Sequence, residues 1–308
     1  MWVLSALVLA AALAPWLYQA GKGLADAAAA RELPAILEWL GAACGRADFS
    51  RFYSRALVFS AVAVLPLLCR RIRVLRAASG CGAKPCVRLS WQSALIQIGV
   101  GCAIAGGMLW GIAMLLEGQG AFAPKPEVPA IGKLLGKILV PAVVVSPMEE
   151  WLIRGLLLGL WLRFAKPFAA CVGTSLIFAA IHFLKLPEGS VITDPASALA
   201  GFELLGKVLL HFTNPRFFIT DFASLFFVGM ILAWARVQTG ALWFSIGLHA
   251  GWIAAFKAFN LLYRPVANPP WGIGETVRSG LFPMVTLGLT AMICYFVLRR
   301  FEARPTVG

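Results

Sequence analysis

The chain has 308 residues, 60% hydrophobic and 13% charged, with a formal net charge of +13. A soluble domain is nearer about 45–50% apolar and about 25% charged, so the excess apolar surface has to face lipid, which excludes an ordinary soluble enzyme. The cationic residues punctuate apolar runs instead of gathering with stacking aromatics in a polar domain, which argues against nucleic acid and for positive charge held on the cytoplasmic side of a membrane.

Residues 2–20 form the first apolar run. No Lys or Arg precedes it and no small-residue cleavage site ends it, so it reads as a transmembrane helix and not a signal peptide. The segment 25–55 is mixed in charge and holds an amphipathic piece at 33–40 suited to a membrane surface. A second span is expected at 56–69, with Pro66 inside it. The loop that follows carries Arg70, Arg71, Arg73, Arg76, Lys84 and Arg88 with no acid between them, which marks it as cytoplasmic. Cys81 and Cys86 lie in this loop, but their spacing is not that of a common zinc pair and no second pair exists. Cys69, Cys102, Cys171 and Cys294 fall in apolar runs, where cysteine acts as a small hydrophobe.

The third span is expected at 91–116. The fourth, at 131–162, contains Pro141 and Pro147 as candidate kinks. The fifth is expected at 168–184. The long connection 185–216 includes Asp194-Pro195, which reads as a helix start. After it, Leu199, Phe202, Leu205 and Leu209 recur at helical spacing, predicting a short re-entrant or interfacial helix. Spans six, seven and eight are expected at 217–235, 241–259 and 281–298. The expected fold is an all-α polytopic membrane helix bundle of about eight transmembrane helices, as a single domain over 1–308. Both termini fall on the cytoplasmic side, because each inner loop is then net basic while the outer loops hold most of the acids. The Ala, Leu and Arg usage has a bacterial character, which places the chain in the bacterial inner membrane.

The fourth span carries the sharpest anomaly, Pro147-Met148-Glu149-Glu150-Trp151-Leu152-Ile153-Arg154-Gly155. A charge at the centre of a bilayer costs roughly 2.5–3.5 kcal/mol or more, so such residues tend to be paired, interior and functional. Glu150 and Arg154 stand at i and i+4 on one helical face, acid before base. Glu149 is offset by about 100° and is left for another task, such as holding or activating a water. His182 on the fifth span and His249 on the seventh add two imidazoles within apolar runs, as a second base, metal ligands or oxyanion donors. At about 1.5 Å per residue, Glu149 lies roughly 20 Å along its helix from Arg163, so it sits well inside the slab. Asp221, Lys257 and His211 read as interfacial or structural. The bland alternative, in which a Glu–Arg pair serves only as packing glue, is weakened by the two histidines on other spans.

These residues resemble the CAAX-protease and bacteriocin-processing (CPBP, or ABI) family of intramembrane proteases. Its Glu-Glu-x-x-x-Arg motif is matched by Glu149, Glu150 and Arg154, and its Phe-x-x-x-His motif by Phe178 and His182. Its last motif, His-x-x-x-Asn or Asp, is matched only at His249, because position 253 is Ile253. The resemblance spans 130–260, a family-like catalytic core. The preceding 1–129 carries none of it and reads as extra N-terminal helices. It implies an intramembrane endopeptidase in which Glu149 activates water with help from His182, and His249 stabilises the oxyanion. Ser245, one turn before His249, and Trp252, three residues after it, are the candidate replacement donors. No cofactor is expected. Zinc, held by Glu149, His182 and His249, is the alternative. The expected partners are the lipid bilayer and a membrane-embedded or lipid-anchored protein or peptide substrate, with prenylated tails disfavoured by the bacterial character. A second reading, prompted by Ile253, is a non-catalytic membrane scaffold or bacteriocin-immunity-type protein on the same fold. A proton-relay transporter is a third, but the internal repeats and paired broken helices common in transporters are not seen.

Overall fold

A computed structural model describes residues 2–78, 90–184, 190–266, 277 and 282–301. The fold is all-α, and the chain divides into two compact units. One comprises Met1–Cys81 and Ile181–Pro215, the other Gly82–Ala180 and Arg216–Gly308. The cysteine pair at 81 and 86 and most of the basic loop lie outside the described residues.

In the first unit, α1 (Trp2–Ala30), α2 (Ala35–Gly45), α3 (Phe49–Ala78) and a later helix, Ala200–His211, pack together. The small residues Ala10, Ala11, Ala14 and Ala56 line the contacts and are fully buried, with Phe49, Tyr53, Leu204 and Val208 filling the space around them. Helices in lipid gain from such small side chains because their backbones can approach. The α1–α2 reversal is fastened by Lys22. Its Nζ donates to Gly45 O at 2.8 Å and Ala47 O at 3.1 Å and lies 3.4 Å from Cys44 O. A lysine thereby donates to carbonyls at and just past the end of α2, where the helix leaves acceptors over. Helix α3 begins with Asp48, whose carboxylate accepts the Arg51 amide at 3.0 Å as an N-cap.

The second unit opens with α4 (Trp91–Gly118), started by a Ser90 cap on the Ser93 amide. The rod α5 then runs over Ile131–Trp161. It is not a uniform α-helix. Wider π-helical stretches, Pro141–Val145 and Trp151–Leu158, flank a five-residue α-turn, Ser146–Glu150. Proline lacks an N–H and its ring clashes with the carbonyl four residues back. Pro141 opens the first widened stretch, a common local adjustment at such positions. Helix α6 (Pro167–His182) follows, and its last two residues belong to the first unit. The first unit also holds α7 (Ala200–His211).

Helix α8 (Ala223–Thr239) ends at Gly240, whose φ of +66° provides the left-handed stop. After this tight turn comes α9 (Trp243–Leu262), and the unit closes with α10 (Phe282–Phe301). A two-stranded antiparallel ribbon joins Phe122–Pro124 to Tyr263–Pro265, with Phe122 opposite Pro265. The core of this unit collects Leu109, Leu116, Phe122, Leu232, Phe244, Leu248, Trp252 and Phe259.

Among the described residues, four helices are long and apolar enough to cross a membrane: Val3–Ala30, Trp91–Gly118, Ile131–Trp161 and Phe282–Arg299. These coincide with the first, third, fourth and eighth expected spans. The fifth and sixth fall on shorter apolar helices, Pro167–His182 and Ala223–Thr239. The count of eight is therefore not reached by length and composition alone. The helix expected at Asp194-Pro195 starts later, at Ala200. Asp194 Oδ1 instead accepts the Ala196 amide at 3.0 Å, closing a local turn.

Candidate active site

The four-residue step from Glu150 to Arg154 brings the guanidinium Nη1 to 2.8 Å from Glu150 Oε1, with both side chains buried. Arg154 reaches a second helix as well. Its Nη2 donates to the Gly229 carbonyl of α8 at 3.3 Å. Gly229 is small enough for α8 to close on Ser175 of α6, where an added Cβ would meet the Ser175 Cβ at 2.9 Å. The guanidinium carbon lies 4.2 Å from the centre of the Phe178 ring, a cation–π contact out of water. The same ring meets His249 edge to face at 5.8 Å. Phe178 is thus a wall of the site as well as a motif residue.

His249 stands on α9, ninety-nine residues from Glu150, yet its Nδ1 lies 2.9 Å from the same Oε1 that Arg154 holds. A carboxylate beside a guanidinium accepts, so Nδ1 carries a proton and the ring is oriented by that bond. Nε2 is thereby turned to Glu149, with Oε2 at 3.7 Å. That separation is longer than a direct hydrogen bond and is one at which a bridging water is to be considered. Glu149 is the more accessible carboxylate, its side chain 28% exposed against none for Glu150. Two acids of one helical turn thus occupy different surroundings.

Helix α9 is held in place by backbone contacts. Gly247 and Gly251 form one face of it, directly against Ile98 and Cys102 of α4; a Cβ on Gly251 would lie 2.9 Å from the Gly106 amide nitrogen. On the α4 side, a Cβ on Gly101 would lie 2.7 Å from the Phe244 carbonyl oxygen. Ser146 Oγ adds a tie from α5, donating to the Ile246 carbonyl at 3.1 Å. Sequence reasoning missed these supports, although Gly247-x-x-x-Gly251 in an apolar run is a legible close-packing pattern.

The structure therefore brings together Glu149, Glu150, Arg154, Phe178 and His249 within one unit. Ser245 is buried beside them. Its hydroxyl donates to the Leu242 carbonyl at 2.9 Å and also faces the Glu150 carboxylate. Trp252 packs into the apolar core with Leu248 and Phe259. His182 ends α6, four residues after Phe178, and falls in the other unit. Of the groups read as peripheral, Lys257 is exposed while Asp221 and His211 are half-buried. Zinc is poorly matched by the donors within the site's own unit. With Glu150 Oε1 engaged by Arg154 and His249, Nε2 of His249 and the Glu149 carboxylate are too few donors, and the adjacent guanidinium repels a cation. Among the described residues, no three His, Cys, Asp or Glu side chains cluster closely enough to hold a metal ion.

Residues 131–255 match the family model for the Rce1-like, type II CAAX prenyl endopeptidases. This segment is similar to the CAAX-protease family. The Rce1-like stretch contains every residue of the cluster around Glu150, from Ser146 to His249, and it points to a peptidase, a hydrolase. The comparison with curated proteins and that with solved structures give no match. The apolar helices together with the Rce1-like segment mark an integral membrane protein.

Proposed function

We propose that the chain is an intramembrane endopeptidase that hydrolyses a peptide bond of a membrane-embedded or lipid-anchored protein or peptide, using water activated by Glu149. The observation that supports this most is the succession Arg154, Glu150, His249, Glu149, buried through its first three members, in which each group sets the next. Arg154 keeps Glu150 as an acceptor, Glu150 fixes the imidazole through Nδ1, and Nε2 faces the accessible carboxylate.

In the proposed reaction, Glu149 takes a proton from water as the oxygen attacks the scissile carbonyl carbon. Nε2–H of His249 donates to the oxyanion that forms. The carbon–nitrogen bond then breaks and the Glu149 carboxyl returns its proton to the departing amine. His182 assists the base, as its motif position implies. The activation is proposed to be metal-independent, because the donor set of the site suits proton transfer better than metal ligation. The family description names prenyl substrates; for this chain the substrate class is the broader one of membrane-associated peptides.

Reconstitution of the full chain in liposomes with membrane-anchored reporter peptides tests the reading. Glu149→Gln is expected to lower cleavage at least ~100-fold while leaving the folded state intact, since a general base contributes about 10²–10⁴-fold. Equal cleavage by both proteins removes Glu149 as the base. Full biological activity of the folded variant favours the scaffold reading.

A further inference from the structure

A different part of the molecule carries a feature that peptide hydrolysis does not use. On the outer face of α3, an open groove of about 500 Å³ is lined by Arg51, Ser54, Arg55, Val58 and Phe59. The spacing i, i+3, i+4, i+7, i+8 puts all five on one helical stripe. The stripe changes character along its length. Its first two turns present one exposed guanidinium group each, and its next turns present Val58, Phe59 and Val62, each more than 60% exposed.

The arginines are placed for a ligand outside the protein. Among the described residues neither makes an ion pair. Asp48, the nearest acid in sequence, has its carboxylate on the Arg51 amide. Arg55 is held on the stripe by the ring of Phe52, 5.7 Å from its guanidinium carbon. Ser54 donates to its own helix at Ser50 O, 2.9 Å away, so only its lone pairs face the groove. The donors in the groove are therefore the two planar guanidinium forks, one helical turn apart. Such forks match the oxygens of a phosphate. In the same unit, exposed Ile36 and Trp39 on α2 form an apolar, aromatic face of the kind that settles at a membrane–water boundary. This supports placing the arginines near headgroup level, with the apolar turns of α3 toward the acyl region.

We infer that this groove binds an anionic phospholipid, its headgroup phosphate between Arg51 and Arg55 and an acyl chain along Val58, Phe59 and Val62. Charge complementarity names the headgroup, and the apolar continuation of the stripe distinguishes a lipid from a soluble phosphoester.

Native mass spectrometry of the detergent-solubilised full chain tests this with three probes: phosphatidylglycerol, phosphatidylcholine of the same chain length, and glycerol 3-phosphate. The wild type is expected to retain phosphatidylglycerol at least ~10-fold better than phosphatidylcholine and to retain no glycerol 3-phosphate. R51Q/R55Q is expected to lose the preference with an unchanged thermal unfolding midpoint. As a check that needs no variant, added salt should weaken phosphatidylglycerol retention and leave phosphatidylcholine retention unchanged. Equal retention of the two lipids by the wild type, or a preference that survives R51Q/R55Q or salt, overturns the proposal. Glycerol 3-phosphate binding as tightly as the lipid shows a soluble phosphoester site and overturns it as well.

Discussion

One carboxylate oxygen, Glu150 Oε1, sits at 2.8 Å from a guanidinium nitrogen and 2.9 Å from an imidazole nitrogen. Its loss therefore has two effects, a buried cation without its counter-charge and a ring without its orienting acceptor. Removing one member of a buried ion pair destabilises by about 3–5 kcal/mol, whereas apolar replacement of both members is often neutral. Glu150→Met alone is expected to lower unfolding stability by that amount, and Glu150→Met/Arg154→Met by much less, as read by denaturant titration in detergent. Cleavage should fail in both, since His249 loses its acceptor in each; activity surviving in the double variant removes the orienting role. The pairing of Glu150 with Arg154 was legible in the sequence, because helical periodicity alone puts i and i+4 on one face. The sharing with His249 was not, because no local rule links residues ninety-nine apart. The division of labour between the acids was legible only as far as their different directions. Glu150 is covered where it meets Arg154 and, across on α9, His249.

At the scale of the helix, the support of His249 lies in residues without side chains. Gly251→Val would drive a branched side chain into the α4 backbone at Cys102 and Gly106. Overpacking of this kind costs typically about 1–3 kcal/mol, and the only relief is for α9 to withdraw from α4, carrying His249 with it. A lower unfolding midpoint together with a fall in kcat is expected, while Gly107→Val on α4, with nothing within 4 Å of an added Cβ, should leave both near wild type. Equal effects of the two substitutions in a cleavage assay with parallel thermal scans contradict the role given to Gly251. Reading charge and chemistry draws attention to acids and histidines and passes over glycine, which explains why this contact went unread. Helix bounds were legible wherever apolar runs were long. They were missed at 194–199, where short polar side chains close their own turns before the helix can begin.

At the scale of the whole molecule, the all-α membrane character followed from composition alone, but the number of crossings did not. Length and hydropathy support four spans among the described residues, because helices that carry the arginines of α3 or pack against neighbours need not be uniformly apolar. The proposed orientation, with both termini inside, predicts that a cysteine reporter at position 78 is shielded from an impermeant reagent added outside intact cells, while one at position 127 is labelled. The reverse pattern inverts the topology. The connection before α7 carries its own electrostatic clip. Glu203 is hydrogen-bonded by Lys207 at 2.7 Å and by the amide and hydroxyl of Thr193, and these partners, Lys207 foremost, hold its carboxyl below the usual carboxylate range. A depressed carboxyl stabilises fully above its unfolded value, and that contribution is lost as pH falls through the lower folded value. The protection of the Thr193 amide against hydrogen exchange, relative to its intrinsic rate at each pH, should therefore hold through neutral and mildly acidic pH and fall below the ordinary carboxylate range. Glu203→Gln should remove the pH dependence of that protection.

The three carbonyls around the Lys22 ammonium carry one more implication, for how topology is inferred. That cation serves as an internal latch between α1 and α2, so it is withdrawn from the tally of charges by which an inserting chain is oriented. Its neutral replacement should leave the direction of insertion as it was and instead unfasten the amphipathic helix from its neighbour.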